Sequence, residues 1–154
     1  MTSSGDQSTT PPQDAADGIR YDDLTTAICL TAAGALHPKI RHAVRHIERH
    51  YHQKLTLRSV ADRIRFHPNH LCRRFREALG MPFSEYLVRV RLKKAIGGLV
   101  YTDDPIKEVG YRAGFGGPER FSTVFRQWLR CSPRSFRSRY RYGELTKAVA
   151  TEKR

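Results

Sequence analysis

Gly114-Phe115-Gly116-Gly117-Pro118-Glu119-Arg120-Phe121-Ser122-Thr123-Val124-Phe125-Arg126-Gln127-Trp128-Leu129-Arg130 is the stretch that decides the fold. Phe121, Val124, Phe125, Trp128 and Leu129 recur at intervals of three, four, seven and eight, which is one face of an α-helix. The other face carries Glu119, Ser122, Thr123 and Arg126. A glycine-rich turn leads in, and Cys131-Ser132-Pro133 closes the segment. A helix with an apolar back and a polar, basic front, held by a tight turn, has the form needed to present that front to DNA.

Working outward, the same pattern appears again upstream. Leu71, Phe75, Ala78 and Leu79 point inward from a helix that Pro68 opens and Gly80 stops. Before it, Val60, Ala61 and Ile64 mark a short helix, and Phe66-His67-Pro68 reads as the turn between the two. The halves are related by a repeat. Leu57, Val60, Ala61 and Phe66 match Ile106, Val109, Gly110 and Phe115 at an offset of 49. After one inserted residue in the second turn, Leu71, Phe75, Ala78 and Leu79 match Phe121, Phe125, Trp128 and Leu129 at an offset of 50. Two short helices joined by a few residues, the second amphipathic and basic, form a helix-turn-helix signature, and this chain carries it twice.

Further helices complete the expectation. Pro38 opens a first helix with Ile40, Val44, Ile47 and Tyr51 on one face. A longer linker helix runs from about 83 to 101, weakened at Gly97-Gly98. Asp103-Asp104-Pro105 supplies an N-cap and proline for the helix at Ile106 and Val109, and Ser132-Pro133 caps a last helix containing Phe136 and Tyr140. No stretch alternates as a strand does, so the fold class is all-α.

Charge is unevenly spread. Residues 1–37 carry one Arg against five Asp, while residues 38–142 carry 24 Lys and Arg against eight Asp and Glu. Arginine dominates the whole chain, 21 against 7 Lys, and guanidinium pairs with phosphate and with guanine edges. The first 18 residues are Ser-, Thr-, Gly-, Pro- and Asp-rich and predict disorder, with a weak helix over 19–36. The chain thus divides into an N-terminal segment 1–37, a basic domain 38–142 and a polar tail 143–154. Within the domain, the first helix-turn-helix covers about 55–80 and the second about 105–130. Three cysteines without a C-x-x-C spacing argue against a disulfide framework or a cysteine zinc site and fit a reducing cytoplasm. Neither a signal peptide nor an apolar run long enough to span a bilayer is present. No cofactor is expected.

Leu57-x-x-Val60-Ala61, His67-Pro68-x-x-Leu71-x-x-x-Phe75-Arg76, Leu79-Gly80-Met81-x-Phe83-x-x-Tyr86-Leu87 and Arg91-Leu92-x-x-Ala95 follow one another in order. Pro105-Ile106-x-Glu108-Val109, Gly114-Phe115, Phe121-x-x-x-Phe125-Arg126 and Ser132-Pro133-x-x-Phe136-Arg137 complete the series. In this order and spacing the segment resembles the DNA-binding domain of the AraC/XylS family of bacterial transcription regulators. The resemblance implies seven helices, with two helix-turn-helix subdomains bridged by a central helix. It also implies a transcription activator or repressor whose partners are double-stranded promoter DNA and RNA polymerase. Residues 1–37 are too few for the effector and dimerisation domain that many members carry, so a small-molecule effector is expected only if a longer N-terminal domain exists.

Helical phase selects the candidate DNA contacts: Asn69, Cys72, Arg73 and Arg76 in the first unit, and Glu119, Ser122, Thr123 and Arg126 in the second, with Arg120 at the flank. The resemblance places the family's base-contacting positions on Asn69, Cys72, Arg73, Glu119, Arg120 and Thr123. For any single residue the plainer reading is a solvated helix face; two faces in the same phase make the DNA reading the stronger one. Four departures from the family pattern carry expectations. Arg74 stands where an apolar residue is usual and lays its stem along the core. His67 replaces a serine cap and starts its helix less firmly. Arg130 takes a glycine position that needs a left-handed backbone, at about 1 kcal/mol. Gly110 replaces an alanine.

Other readings compete. His42, His46 and His50, at i, i+4 and i+8, have metal-ligand spacing, but a solvated histidine-rich face is the simpler account and no metal is expected. Cys72 beside two arginines suggests a redox sensor, with a plain small residue near the groove favoured over it. A DNA-repair enzyme with an attached helix-turn-helix would need paired carboxylates or a nucleophile with its base, and the acidic residues are scattered. A non-specific nucleoid or RNA binder is the remaining alternative.

Overall fold

The computed structural model describes residues 36–140. The expected disorder and weak helix before residue 36, and the polar tail from residue 143, lie outside the described residues. Seven helices follow in order: α1 (Pro38–His50), α2 (Leu57–Arg63), α3 (Pro68–Leu79), α4 (Phe83–Tyr101), α5 (Ile106–Arg112), α6 (Pro118–Leu129) and α7 (Pro133–Tyr140). There is no strand among the described residues.

The repeat is realised helix by helix. α2 and α5 are both 7 residues long, and α3 and α6 are both 12. The inserted residue falls in the second turn, between Arg112 and Pro118. Turn hydrogen bonds match as well: Phe66 N–H donates to Ala61 O at 2.9 Å, and Phe115 N–H to Gly110 O at 3.1 Å. Both units need a left-handed residue in the turn and another after the second helix, but they place glycine differently. The turn residue is Arg65 (φ 53) in the first unit and Gly114 (φ 86) in the second; the helix ends on Gly80 (φ 69) in the first and Arg130 (φ 55) in the second. A left-handed backbone costs a non-glycine residue roughly 1–2 kcal/mol. Arg130→Gly is therefore expected to stabilise the domain by about 1 kcal/mol, read as an upward shift of the urea midpoint at unchanged slope.

Two apolar clusters make up the core. Ile40, Val44, Ile47, Val60, Leu71, Phe75 and Tyr86 belong to the first; Leu92, Leu99, Val109, Phe121, Phe125 and Phe136 belong to the second. Each such side chain, fully buried, contributes about 1.5–3 kcal/mol. α4 serves both clusters. It buries Phe83, Tyr86, Leu87 and Val90 in one, then Leu92, Ala95, Ile96, Leu99 and Val100 in the other. Its apolar side thus changes partway along, which is why its sequence shows no single stripe. Tyr86 also bonds the Glu48 carboxylate on α1 at 3.2 Å.

Glycine and side-chain size are coupled inside the second unit. A Cβ at Gly110 would lie 2.8 Å from Cδ1 and 2.9 Å from Cγ of Phe121. At the equivalent positions the first unit has Ala61 and Leu71, both buried. The larger ring takes the space of the missing methyl, so the departure at Gly110 is matched to Phe121. Gly110→Ala is expected to cost about 1–3 kcal/mol by overpacking, less a helix-propensity gain of up to about 1. Adding Phe121→Leu should recover part of that loss, and a double-mutant cycle on chemical denaturation measures the coupling.

Some expectations gain detail and others need correction. His67 does cap α3: its Nδ1 accepts from Asn69 N–H at 3.3 Å, and His37 does the same for Lys39 N–H on α1 at 3.2 Å. In both places proline fills the first helical position, so the imidazole serves the first N–H available. Asp104 is not the cap of α5; Pro105 occupies that position without a side-chain bond, and the Asp104 carboxylate pairs with Arg112 instead. The linker helix does run over the expected span, with Gly97-Gly98 inside it. A Cβ at Gly98 would meet Val109 Cγ1 at 3.0 Å, so the glycine admits α5 against α4. Ala78 is exposed rather than inward, and Tyr51, Leu79 and Trp128 are half-buried. Arg74 stays in solvent beside Glu77 at 3.7 Å instead of lying on the core. Thr56 and Ser59 form a capping box on α2 that helical periodicity does not reveal.

Candidate nucleic-acid interface

α3 is held by Leu71 and Phe75, which are buried at 0% and 1% exposure. Phe75 meets Phe83 and Tyr86 edge to face, at centroid distances of 6.1 and 5.5 Å. With that face fixed, Asn69, Cys72, Arg73 and Arg76 all emerge on the exposed side. They line one shallow, open depression together with Glu77. Glu77, which helical phase alone did not select, stands 3.8 Å from Arg73 Nε, an i, i+4 pair that the sequence did offer. Both partners are exposed, and such a pair contributes little to stability.

α6 is held the same way by Phe121, Phe125 and Leu129. Phe121 packs against Phe115 at 5.1 Å and Phe125, and Phe125 meets Phe136 of α7 at 5.5 Å. Glu119, Arg120, Thr123 and Arg126 are exposed, whereas Ser122 is half-buried. The helix therefore offers a row of polar groups near its start with Ser122 at the edge of that row. Trp128, on the core side, lies under the Arg89 guanidinium at 5.5 Å, and Arg89 is bonded to Glu85 at 2.8 Å. The aromatic residues of α6 are thus packing elements.

The first turn is braced. Lys39 Nζ donates to the carbonyl of Arg65 at 3.1 Å and lies over the Phe66 ring at 4.7 Å, tying α1 to the first turn. No group of three His, Cys, Asp or Glu residues that could hold a metal occurs among the described residues. No helix among them is long and apolar enough to cross a membrane.

A domain model described as a helix-turn-helix domain matches residues 60–139, more than half of the chain. The fold resembles the C-terminal domain of AraT, a response regulator from Geobacillus stearothermophilus, with TM-score 0.69 and 34% identity over 70% of this chain and 90% of that one. It also resembles an AraC-type DNA-binding domain protein from Chromobacterium violaceum, with TM-score 0.63 and 28% identity over 67% and 92% of the two chains. The chain belongs to the AraC/XylS family. A third structure, the DNA-binding domain of the transcriptional factor AdpA in complex with a target DNA, has TM-score 0.63 and 28% identity over 66% of this chain and 91% of that one. Among sequences, the HTH-type transcriptional activator RhaS of Citrobacter koseri is 34% identical over 91 residues, 59% of this chain and 33% of that protein. An HTH-type transcriptional regulator of Staphylococcus aureus (strain MSSA476) is 28% identical over 99 residues, 64% of this chain and only 13% of its own length. The chain therefore spans a minor part of these curated relatives. Family and fold are those of the DNA-binding domains of AraC-type regulators, not of enzymes.

The histidines of α1 have a different consequence within this AraC-type domain. The rings of His46 and His50 stack at 4.3 Å, and His50 Nδ1 is bonded to the His46 carbonyl at 2.9 Å. Burial, and then the charges of His50, Arg63 and His42, lower the pKa of His46 below its ordinary 6.5. The folded state therefore favours neutral His46. That stability is fully present above the unfolded-state value and is lost as pH falls through the lowered one. Wild-type melting temperature should fall between about pH 7.5 and about pH 5, and His46→Gln should flatten that dependence. Equal slopes for the two proteins would contradict it. Elsewhere, burial pushes the Cys131 thiol up, with Arg139 opposing, while Cys72 stands exposed on the depression.

Proposed function

We propose that this chain is a sequence-specific double-stranded DNA-binding transcription regulator whose residues 38–142 place α3 and α6 in successive major grooves. The observation that carries the reading is the pair of exposed polar faces, at equivalent positions of a structural repeat, near the start of each second helix. Major-groove readers work from that position, and paired elements lie about 34 Å apart, one turn of DNA. In the first unit Asn69 suits adenine and Arg73 suits guanine, each through two hydrogen bonds. Cys72 offers a small surface between them. Arg76, a turn later, meets phosphate.

In the second unit Glu119 accepts from a cytosine amino group, Thr123 touches a thymine methyl, and Ser122 bonds a base edge or the backbone. Arg120, at the flank, serves bases or the backbone, and Arg126 serves phosphate. Most sequence information then comes from α3, with α6 holding the backbone and tuning the site. The excess of 24 basic over eight acidic residues in 38–142 supplies the salt-dependent attraction to phosphate. The named activator among the relatives supports activation as the mode of regulation; a cytoplasmic location and RNA polymerase as protein partner belong to the same reading. An effector enters only through a further N-terminal domain.

Selection of binding sites from random duplex DNA, followed by competition against bulk DNA, tests this. A specificity ratio of at least about 10³ is expected. A ratio near one would replace the regulator with a non-specific nucleoid or RNA binder, and magnesium-dependent cleavage of the DNA would point to a repair enzyme.

A further inference from the structure

The two apolar clusters share no residue, and the buried residues of α4 pass from the first to the second between Val90 and Leu92, with half-buried Val88 already packing on the second. Arg91 stands at that division. Its Nε donates to the carbonyl of Tyr51 at 2.8 Å, and its Nη2 donates to the carbonyl of Gln53 at 2.9 Å, both just beyond the end of α1. Gly114, the left-handed residue in the turn of the second unit, is pressed against the same spot. A Cβ there would lie 2.6 Å from Tyr51 O, 2.9 Å from His52 Cα and 3.0 Å from Arg91 Nε. Close by, Lys94 lies over the Tyr51 ring at 5.6 Å. The end of α1, which belongs to the first unit, thus meets the turn of the second directly, with one guanidinium holding the backbone in place.

We infer that Arg91 is a positioning residue that sets the separation and relative orientation of α3 and α6, and through them the spacing of half-sites the domain accepts. The two hydrogen bonds use a guanidinium's fixed fork, so their loss releases the end of α1 from α4 without opening either apolar cluster. What then still joins the units is α4, the packing of Gly114 on Tyr51 and His52, and Lys94 over the Tyr51 ring, none of which has the directional fork of the guanidinium. Burial and the nearby positive charge of Arg120 both lower the pKa of Arg91, in keeping with its enclosed place at the joint. Lysine, a point charge with no planar fork, cannot make both bonds in the same geometry.

The part of this inference that concerns DNA rests on the two-groove reading above; the part that concerns the joint does not, and the test separates them. In DNA-free protein, spin labels at Cys72 and at a cysteine introduced by Thr123→Cys, in a Cys29→Ser, Cys131→Ala background, report the distance between α3 and α6. One narrow distribution is expected with Arg91 present, and a broadened or displaced one with Arg91→Lys, at unchanged helix content. Arg91→Ala is the second variant, to be read with the same control. The same narrow distribution in all three proteins would overturn the inference.

On DNA, unlabelled Arg91→Lys should bind each isolated half-site as the wild type does. Its preference for the selected spacing over one lengthened by a base pair should fall by about tenfold, because a looser joint lowers the effective concentration of the second helix. An unchanged spacing preference would overturn the assignment to spacing. A broadened distance distribution in a protein that shows no sequence preference would keep the joint and discard the two-groove reading.

Discussion

Gly114→Ala is expected to lower the unfolding free energy by about 2–4 kcal/mol, summing a left-handed backbone and an overpacked contact. At φ 86 the backbone disfavours any side chain, and the added methyl would stand 2.6 Å from the Tyr51 carbonyl oxygen. That oxygen cannot readily move aside, since it accepts from Arg91 Nε at 2.8 Å. Gly80→Ala provides the internal control. Its φ of 69 imposes the same backbone strain, but nothing lies within 4 Å of the new Cβ. It should cost only about 1 kcal/mol. Chemical denaturation of both variants checks the difference, and equal losses would show that the Gly114 contact contributes nothing beyond backbone strain.

The second large effect concerns DNA. Arg73→Ala should cost about 1–3 kcal/mol on the selected site and relax preference at one base pair, while affinity for random DNA changes little. Arg126→Ala should weaken binding to all sequences alike and reduce the salt slope by about 1. Both side chains are exposed, and the ion pair of Arg73 with Glu77 at 3.8 Å is a weak surface pair. Losses should therefore appear in binding and leave the melting temperature nearly unchanged. Titrations at several salt concentrations separate the two behaviours. If both variants lose equally on selected and random DNA, neither residue reads bases.

Much of the fold was legible because its periodicities are strong. Phe121, Val124, Phe125 and Leu129 recur as one helical face, and the offsets of 49 and 50 reveal the duplication from residue identities alone. The bounds of α4 and the place of the inserted turn residue follow from the same signals. What escaped the sequence was set by contacts between distant segments. Arg91 bonds carbonyls 38 and 40 positions away, which no local pattern announces. Gly110 reads as a departure until Phe121 is seen to occupy the space of its missing methyl. Asp104 has the look of an N-cap, but with Pro105 at the cap position and Arg112 near, the carboxylate pairs with the guanidinium.

The candidate site was legible in kind through helical phase. Phase places Asn69, Cys72, Arg73 and Arg76 together on one side of α3, where the structure brings them around one depression. It treats Ser122 as equal to Thr123, whereas Ser122 is half-buried and Thr123 exposed. Glu77 belongs to the same surface and was visible only as a neighbour of Arg73 in helical spacing.

The central claim is that one chain uses both recognition helices on one duplex. Methylation interference at guanine N7, performed on a selected site with the monomeric protein, tests it most directly. Two blocks of interference on one face of the duplex, about 10 base pairs apart, are the expected result. A single block, or interference spread evenly along the fragment, would contradict it.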